Sequence, residues 1–287
     1  IRHTLKLLRE LIQLMWQVIL ERRLLLSLML VFLIVLGILT NPLPPRHLRI
    51  SGYGDFPNSI ASSLESLGFE VEIVESPGSL NNAKLLKEPE HPIDVAFIQG
   101  GALSDEEVQG LQSLGSLAYE PVWTFYRKSL NIKPTRLSQL KGLRIGLGPE
   151  LSGSRVMVSK LLAEDGIDAN HEPGFLSGKS FVDYAEDLER GDLDVLIDAN
   201  PLADPHIQRL LNNPEIGIMS YELADAYHQK FRFLDAITLP KGSISIKNVI
   251  PSEDVQLIAT TLNLIVREDA HPDVQTLLLL SLIHISE

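Results

Sequence analysis

The sequence predicts an α/β fold of two similar lobes, because one pattern of strand, glycine-rich turn, helix and strand occurs twice. The first copy opens at 48–54 (LRISGYG) and closes at 93–100 (IDVAFIQG), and the second opens at 143–148 (LRIGLG) and closes at 193–200 (LDVLIDAN). Small polar residues follow the strand ends in both copies. Ligands of open α/β sheets bind outside the carboxyl ends of the strands. The doubled pattern therefore indicates a ligand held in a cleft between two halves.

Composition is ordinary for a globular protein but acidic. The 287 residues are 45% apolar and 22% charged, with a formal net charge of -12. The first 49 residues hold seven of the 25 basic and two of the 37 acidic residues, which leaves a net charge of -17 on the remainder. This argues against nucleic-acid binding, which needs a basic face. Cysteine is absent, so the chain has no disulfide framework and no thiolate nucleophile or metal ligand.

An apolar segment near the N-terminus predicts a single membrane anchor. Residues 24–40 are 17 residues without a charge, about the shortest length that spans a bilayer. Arg22 and Arg23 precede them, which places the N-terminus in the cytoplasm and the globular part outside. The proline-rich spacer 41–45 follows in place of a small-residue cleavage site. A cleaved signal peptide with a long basic region is the alternative.

The globular part reads as strands that alternate with helices. In the first copy, strands are predicted at 49–51, 69–74 and 94–99, and helices at 58–67 and from 80. In the second copy, strands are predicted at 143–147 and 194–198, and helices at 154–164 and 180–190. Such alternation implies a parallel sheet with right-handed crossovers.

An aromatic strand, 117–127 (LAYEPVWTFYR), joins the two copies and predicts a hinge between the lobes. The later part of the chain is predicted to contain helices at 205–211 and 221–229, an extended segment at 237–250, a strand at 257–267 and a helix from 272. The domain prediction is an N-terminal segment with anchor and spacer (1–45), lobe I (46–124 plus 236–280) and lobe II (125–235). Residues 281–287 are expected to be a non-native tail, with native sequence missing after about 280.

The sharpest candidate site is the strand-to-helix junction 148–155 (GPELSGSR). Free backbone N–H groups and the positive end of a helix dipole receive a carboxylate or phosphate at such a junction. Ser152 and Ser154 add hydroxyl donors around Gly153, and Arg155 is a candidate charge partner. The alternative is that Ser154 only caps the helix.

Further candidates share a position near the ends of predicted strands or in the hinge. A side-chain amide at such an end faces the cleft, while neighbouring glycines let a ligand approach the backbone. The other predicted ligand-binding residues are Ser51, Tyr53, Ser79, Asn81, Gln99, Tyr119, Asp198 and Asn200.

Three enzyme motifs are incomplete, so no catalytic residue, cofactor or metal is predicted. The dinucleotide fingerprint that would begin at Gly146 lacks its third glycine, where Leu151 stands. The segment 173–180 (PGFLSGKS) resembles a phosphate-binding loop, but its first glycine is one residue too close to Gly178. No G-x-S-x-G elbow occurs, and the eight histidines are scattered without metal-ligand spacing.

Several segments together resemble the TAXI class of extracytoplasmic solute-binding subunits of tripartite ATP-independent periplasmic (TRAP) transporters. The matching segments are 76–82 (SPGSLNN), 93–101 (IDVAFIQGG), 115–123 (GSLAYEPVW), 140–154 (LKGLRIGLGPELSGS) and 191–195 (GDLDV). The resemblance implies a periplasmic-binding-protein fold with two chain crossings and a ligand in the cleft between the lobes. It also implies delivery of a small carboxylate or an amino acid such as glutamate to a membrane permease driven by an ion gradient.

One departure from the family affects the expected ligand. The first-lobe turn is shorter than usual, and Asp55 adds a negative charge near the presumed anion site, so the ligand is zwitterionic or contacts this lobe differently. A membrane-tethered sensory module that binds a similar ligand is the main alternative function. An enzyme on the same fold is the weaker alternative.

Overall fold

The computed structural model describes residue 16 and residues 22–37, 44–52, 55–89 and 93–285. The chain divides into two compact units, Ile1–Pro45 and Arg46–Glu287. In the first unit, residues 22–37 form a helix (α1) whose large apolar side chains are exposed. Across these described ranges, no helix has both the length and the apolar character that crossing a membrane requires. The predicted anchor, 24–40, ends in residues that lie outside the described part.

Lobe I of the second unit begins with three parallel strands and two helices. These elements are β1 (His47–Ser51), α2 (Asp55–Ser66), β2 (Glu70–Val74), α3 (Ser79–Lys87) and β3 (Val95–Gln99). β1 pairs in parallel with β2 on one side and β3 on the other. All five residues of β3 are buried, as expected for an interior strand of a covered parallel sheet.

The elements after β3 are, in chain order, β4 (Leu111–Arg127), β5 (Ile145–Gly146), α4 (Gly153–Glu164), β6 (Phe175–Leu176), α5 (Phe181–Arg190), β7 (Val195–Ala199), α6 (Pro205–Asn212), β8 (Ile216–Ile218), α7 (Ala224–Lys230), β9 (Asp235–Leu239), β10 (Val255–Arg267) and α8 (Pro272–Ile285). In lobe II, β5, α4, β6, α5 and β7 repeat the arrangement of lobe I with shorter strands. Ser180 and Asp183 form a capping box that starts α5, and Gly191 ends it with φ 91°. Asp204 caps α6, and Pro205 fills its first position.

Two long antiparallel strands, β4 and β10, join the lobes. β10 pairs with β3, with β9 and with the first part of β4, whereas the second part of β4 pairs with β7 and β8. This second part is aromatic and buried, and Trp123 stacks on Phe125 with ring centroids 5.7 Å apart. The chain therefore passes between the lobes along neighbouring strands of one sheet.

The doubled sequence pattern forms the same clamp in both lobes. In lobe I, the backbone N–H of Arg49 donates to Oδ2 of Asp94 (2.8 Å), and the N–H of Asp94 donates to the oxygen of Arg49 (2.9 Å). In lobe II, the N–H of Arg144 donates to Oδ2 of Asp194 (3.0 Å), and the N–H of Asp194 donates to the oxygen of Arg144 (2.9 Å). These aspartates tie β1 to β3 and β5 to β7.

Some predicted elements differ from the observed ones. The extended segment predicted at 237–250 is wrong after Leu239, because β9 ends there and Pro240 has no N–H to continue the ladder. The strand predicted at 143–147 is reduced to Ile145–Gly146. The strands β6 and β8 were not predicted, since two or three residues are too few to show a period of two. α7 begins at Ala224 rather than at 221.

Candidate functional site

A cavity of about 420 Å³ lies between the lobes. The volume is in the range of small-molecule sites. Its walls combine the N-termini of α3, α4 and α6 and several amide and carboxylate groups with apolar side chains. Lobe I and β4 contribute Phe56, Ser79, Asn82, Phe97, Gln99 and Glu120, and lobe II contributes Ser152, Gly153, Ser154, Asn200 and Asp204.

The N-terminus of α4 presents backbone donors rather than hydroxyl donors. Ser152 is the N-cap: its Oγ accepts from the N–H of Arg155 (3.2 Å), and its hydroxyl donates to the oxygen of Pro149 (2.8 Å). The Oγ of Ser154 is held by the backbone of Ala199, 3.2 Å from both its nitrogen and its oxygen. The N–H groups of Gly153 and Ser154 have no hydrogen-bond partner among the described residues. They remain free for a ligand.

The N-terminus of α3 meets that of α4 across the cavity. Gly78 caps α3 at φ 146°, and a Cβ at this position would lie 2.6 Å from the backbone oxygen of Leu151. A Cβ on Gly153 would lie 2.6 Å from Oγ of Ser79. Bare backbone therefore allows the lobes to touch. The positive ends of both helix dipoles lie at the cavity and favour an anionic group there.

Glu120 is a buried acid in the cavity wall. Its side chain accepts a hydrogen bond at Oε2 from Nε2 of Gln99. Burial raises the pKa of Glu120 to about 7; the Gln99 hydrogen bond opposes this shift, and the negative charge of Asp198 adds to it. Burial likewise raises the pKa of Asp198 to about 6, against hydrogen bonds from Ser154 and the N–H of Ala199. Burial thus favours the protonated form of both carboxyl groups, of which Glu120 lines the cleft and Asp198 does not.

Asn200 supplies a further donor. Its backbone oxygen accepts from Nε1 of Trp123 (2.9 Å), which fixes the start of the segment that leads to α6. Its side-chain Nδ2 is buried and has no hydrogen-bond partner in the described part of the chain. A buried donor without a partner costs free energy, so a ligand acceptor at this position would be stabilising.

The structure brings part of the predicted site together. The predicted residues that line the cavity are Ser79, Gln99, Ser152, Gly153, Ser154 and Asn200. Ser51 and Asn81 lie next to the wall and support it. The hydroxyl of Ser51 donates to Oδ1 of Asn82 (2.8 Å), and Nδ2 of Asn81 donates to Oγ of Ser76 (3.2 Å).

The other predicted residues lie elsewhere. The guanidinium of Arg155 is buried against Asn170, with Nη2 3.3 Å from Oδ1, and does not line the cavity. Tyr119 is 57% exposed, because it faces the side of β4 opposite to Glu120. Asp198 is buried next to Ser154 and is not part of the lining. Tyr53 lies outside the described residues.

Sequence reasoning missed Asn82, Glu120 and Asp204, all of which line the cavity. Glu120 did leave a signal, since it is the only acid in the apolar strand 117–126. Asp204 is explained locally as a helix cap, because Oδ1 accepts from the N–H groups of His206 and Ile207. Nothing in the sequence near Asn82 distinguishes it from its neighbour Asn81.

A second cavity, of about 450 Å³, lies on lobe II beside β8 and residues 248–253. Its lysines already have partners: Lys128 donates to the backbone oxygen of Pro214 (2.8 Å), and Lys133 pairs with Glu253 (2.5 Å). No α-helix N-terminus among the described residues lines it. The cleft between the lobes is therefore the better ligand site.

Residues 57–279 match the family model described as the NMT1-like family. The chain belongs to the NMT1-like family. The match spans both lobes and the strands that join them. No curated protein matches the chain significantly.

Solved structures similar to this NMT1-like protein share its fold. The truncated arginine-bound ArgBP from T. maritima is 16% identical with a TM-score of 0.51, covering 83% of this chain and 96% of that one. An ABC uptake transporter substrate-binding protein from Streptococcus pneumoniae with bound histidine is 13% identical with a TM-score of 0.54, covering 84% and 87%. An H2O2-bound OxyR mutant from Corynebacterium glutamicum is 14% identical with a TM-score of 0.51, covering 90% and 70%.

Identities this low establish the fold alone. The predicted two-lobed α/β fold of periplasmic binding proteins is confirmed by these structures. The narrower resemblance to the TAXI class depends on the sequence segments only.

Proposed function

We propose that this NMT1-like protein captures a small amino-acid or carboxylate ligand in the cleft between its lobes and delivers it to a membrane transporter. The observation that carries the proposal is the convergence of two helix N-termini, one from each lobe, on a single 420 Å³ cavity. Gly153 and Ser79 bring these termini into contact. A ligand that bridges them would hold the lobes together, which is how two-lobed binding proteins close.

The binding step is tested by thermal melting of the full chain in mild detergent with a panel of amino acids and dicarboxylates. A ligand present at 100 times its Kd stabilises the folded state by about 2.7 kcal/mol. We expect at least one member of the panel to raise Tm. The absence of any shift across the panel would contradict ligand capture.

The recipient we propose is an ion-gradient-driven permease of the TRAP type. The support is the set of sequence segments shared with the TAXI class, among them 76–82 and 140–154. The arginine- and histidine-bound proteins of similar fold include a binding protein of an ABC transporter. The experiment must therefore distinguish uptake driven by an ion gradient from uptake driven by ATP. Uptake into vesicles that contain the cognate permease should follow an imposed ion gradient without ATP. Uptake that requires ATP would contradict the assignment of the recipient to the TRAP type.

Residues 24–40 are proposed to anchor the protein at the inner membrane, with the globular unit outside. The support is the apolar run after Arg22 and Arg23, together with the exposed apolar side chains of α1. Tethering raises the local concentration of the binding unit near a permease. The test is fractionation of cells that express the full chain or a variant with residues 24–40 replaced by a Gly/Ser linker. The proposal requires the full chain in the membrane fraction and the variant out of it.

A further inference from the structure

The charges in the cleft define the ligand more narrowly than the fold does. Glu120 and Asp204 are the charged residues among the described ones that line the cavity, and no lysine, arginine or histidine joins them. Arg155, the basic residue nearest to this wall in sequence, is turned to Asn170. A ligand with two carboxylates would therefore meet two acids and no cationic side chain.

Glu120 has an acceptor directed at the cavity. Its side chain is more than nine-tenths buried, with a relative exposure of 7%. Gln99 occupies Oε2, whereas Oε1 accepts no hydrogen bond from the described residues. An ionised carboxyl group this deeply buried is costly unless a cation or donor pairs with it. An oxygen that faces the cavity can accept a charge-assisted hydrogen bond from a ligand ammonium group.

The donor wall lies one side chain away from Glu120. Gln99 touches Glu120 through Nε2, and its Oε1 lies 2.9 Å from the position that a Cβ on Gly153 would take. The free N–H groups of Gly153 and Ser154 and the unpartnered Nδ2 of Asn200 belong to this wall. Gln99 thus contacts both Glu120 and the donor wall. An α-amino acid carries its ammonium and carboxylate groups on the same carbon atom and can present one to each.

We propose that the cleft binds a zwitterionic α-amino acid whose side chain carries no acid. Glu120 receives the ammonium group, and the N-terminus of α4 with Asn200 receives the carboxylate. The side chain lies among apolar residues of the lining, which include Phe56, Phe97 and Leu262. The inference depends on the proposed ligand capture and narrows it to one class of ligand.

The test uses matched probes on the full chain in detergent. The twenty amino acids and succinate are first compared by thermal melting. Calorimetry then compares the best amino acid with its decarboxylated amine and its deaminated acid; for leucine, these are isopentylamine and 4-methylpentanoate. We expect each half-molecule to bind at least about 10-fold more weakly than the amino acid, because each lacks one charged hydrogen bond.

The variant Glu120→Gln separates recognition from folding. We expect it to weaken amino-acid binding by about 10- to 100-fold and to leave binding of the deaminated acid unchanged. Glu106→Gln, on an exposed turn of lobe I, is the control and should change neither affinity. Equal losses for both probes in Glu120→Gln would overturn the assignment of the ammonium group.

The two proposals fail in different ways. If succinate or glutamate binds as tightly as a neutral amino acid, the inference on ligand class is wrong while ligand capture stands. If no probe binds the wild-type chain, both are wrong.

Discussion

Asp194 accepts three hydrogen bonds from Arg144: from the backbone N–H and Nε at Oδ2, both at 3.0 Å, and from Nη2 at Oδ1, at 2.7 Å. The equivalent Asp94 of lobe I receives the backbone N–H of Arg49, but that guanidinium donates through Nη2 to Glu72. Among the described ion pairs, the arginine and the aspartate of the clamp therefore pair with each other in lobe II, whereas the lobe I arginine pairs with Glu72.

This asymmetry predicts unequal costs for two matched substitutions. Asp194→Asn should lower the free energy of unfolding by about 1 kcal/mol more than Asp94→Asn, a modest figure because the Arg144 side chain is 47% exposed. Denaturant unfolding of both variants measures the difference. Equal losses of unfolding free energy would show that only the hydrogen bonds to backbone N–H groups contribute to stability.

The same pair predicts a pH dependence. The Arg144 guanidinium holds the pKa of Asp194 below its ordinary value, so its contribution is complete above pH about 4 and is lost as the pH falls through the folded-state pKa. The difference between the two variants should therefore shrink below pH 4. A difference that persists at pH 2 would exclude an ionic origin.

The raised pKa of Glu120 predicts that stability changes with pH in the opposite direction. Its pKa is raised from 4.5 to about 7, so the folded state binds the proton more tightly than the unfolded state does. Stability is greatest below pH 4.5 with respect to this group and falls as the pH rises to about 7. Glu120→Gln should raise Tm at pH 8 by several degrees, since each kcal/mol shifts Tm by about 2–4 °C at this size, and should change it little at pH 4.5.

The nearby Asp198 has its own raised pKa of about 6 and contributes a similar slope, so the variant is compared with wild type at each pH. A Tm gain of equal size at pH 4.5 and pH 8 would show that better packing, and not removal of a charge, stabilises the variant.

Because Gly153 lies close to Ser79, we expect that a methyl group at position 153 prevents the two lobes from closing fully. Gly153→Ala places its Cβ 2.6 Å from Oγ of Ser79 and 2.8 Å from Cβ of Gln99. We expect the lobes to move apart, with a larger radius of gyration in small-angle scattering and at least a 10-fold loss of ligand affinity. Gly37→Ala, whose Cβ would meet no described atom within 4 Å, is the control. If neither the radius of gyration nor the ligand affinity changes, the side chains of Ser79 and Gln99 shift to accommodate the methyl group.

Lys160 of α4 also joins the lobes. Lys160 donates from Nζ to the backbone oxygen of Gly101 (2.6 Å) and lies 6.0 Å from the centroid of the Phe233 ring. Lys160→Met should weaken ligand binding by about 3- to 10-fold through loss of this hydrogen bond in the closed form. Calorimetry compares it with Lys84→Met, an exposed lysine on α3. Equal affinities would show that the bond does not favour closure.

Much of the fold was predictable because buried parallel strands and capped helices leave local patterns. The strand β7 and the helix α5 are examples, each with its signals in consecutive residues. The site was less predictable, because neighbouring residues of a helix differ by about 100° in direction. Ser154 and Arg155 are adjacent in sequence, yet one faces the cleft and the other faces Asn170.

The contact between Trp123 and Asn200 has a practical consequence. The chain has two tryptophans: Trp16 is 61% exposed, whereas Trp123 is fully buried, stacked on Phe125 and bonded to the residue whose amide lines the cleft. A buried indole emits at shorter wavelengths than an exposed one, so the two emissions are separable. If a ligand binds Asn200, we expect the emission of Trp123 to change, so binding in the cleft would be followed without a label.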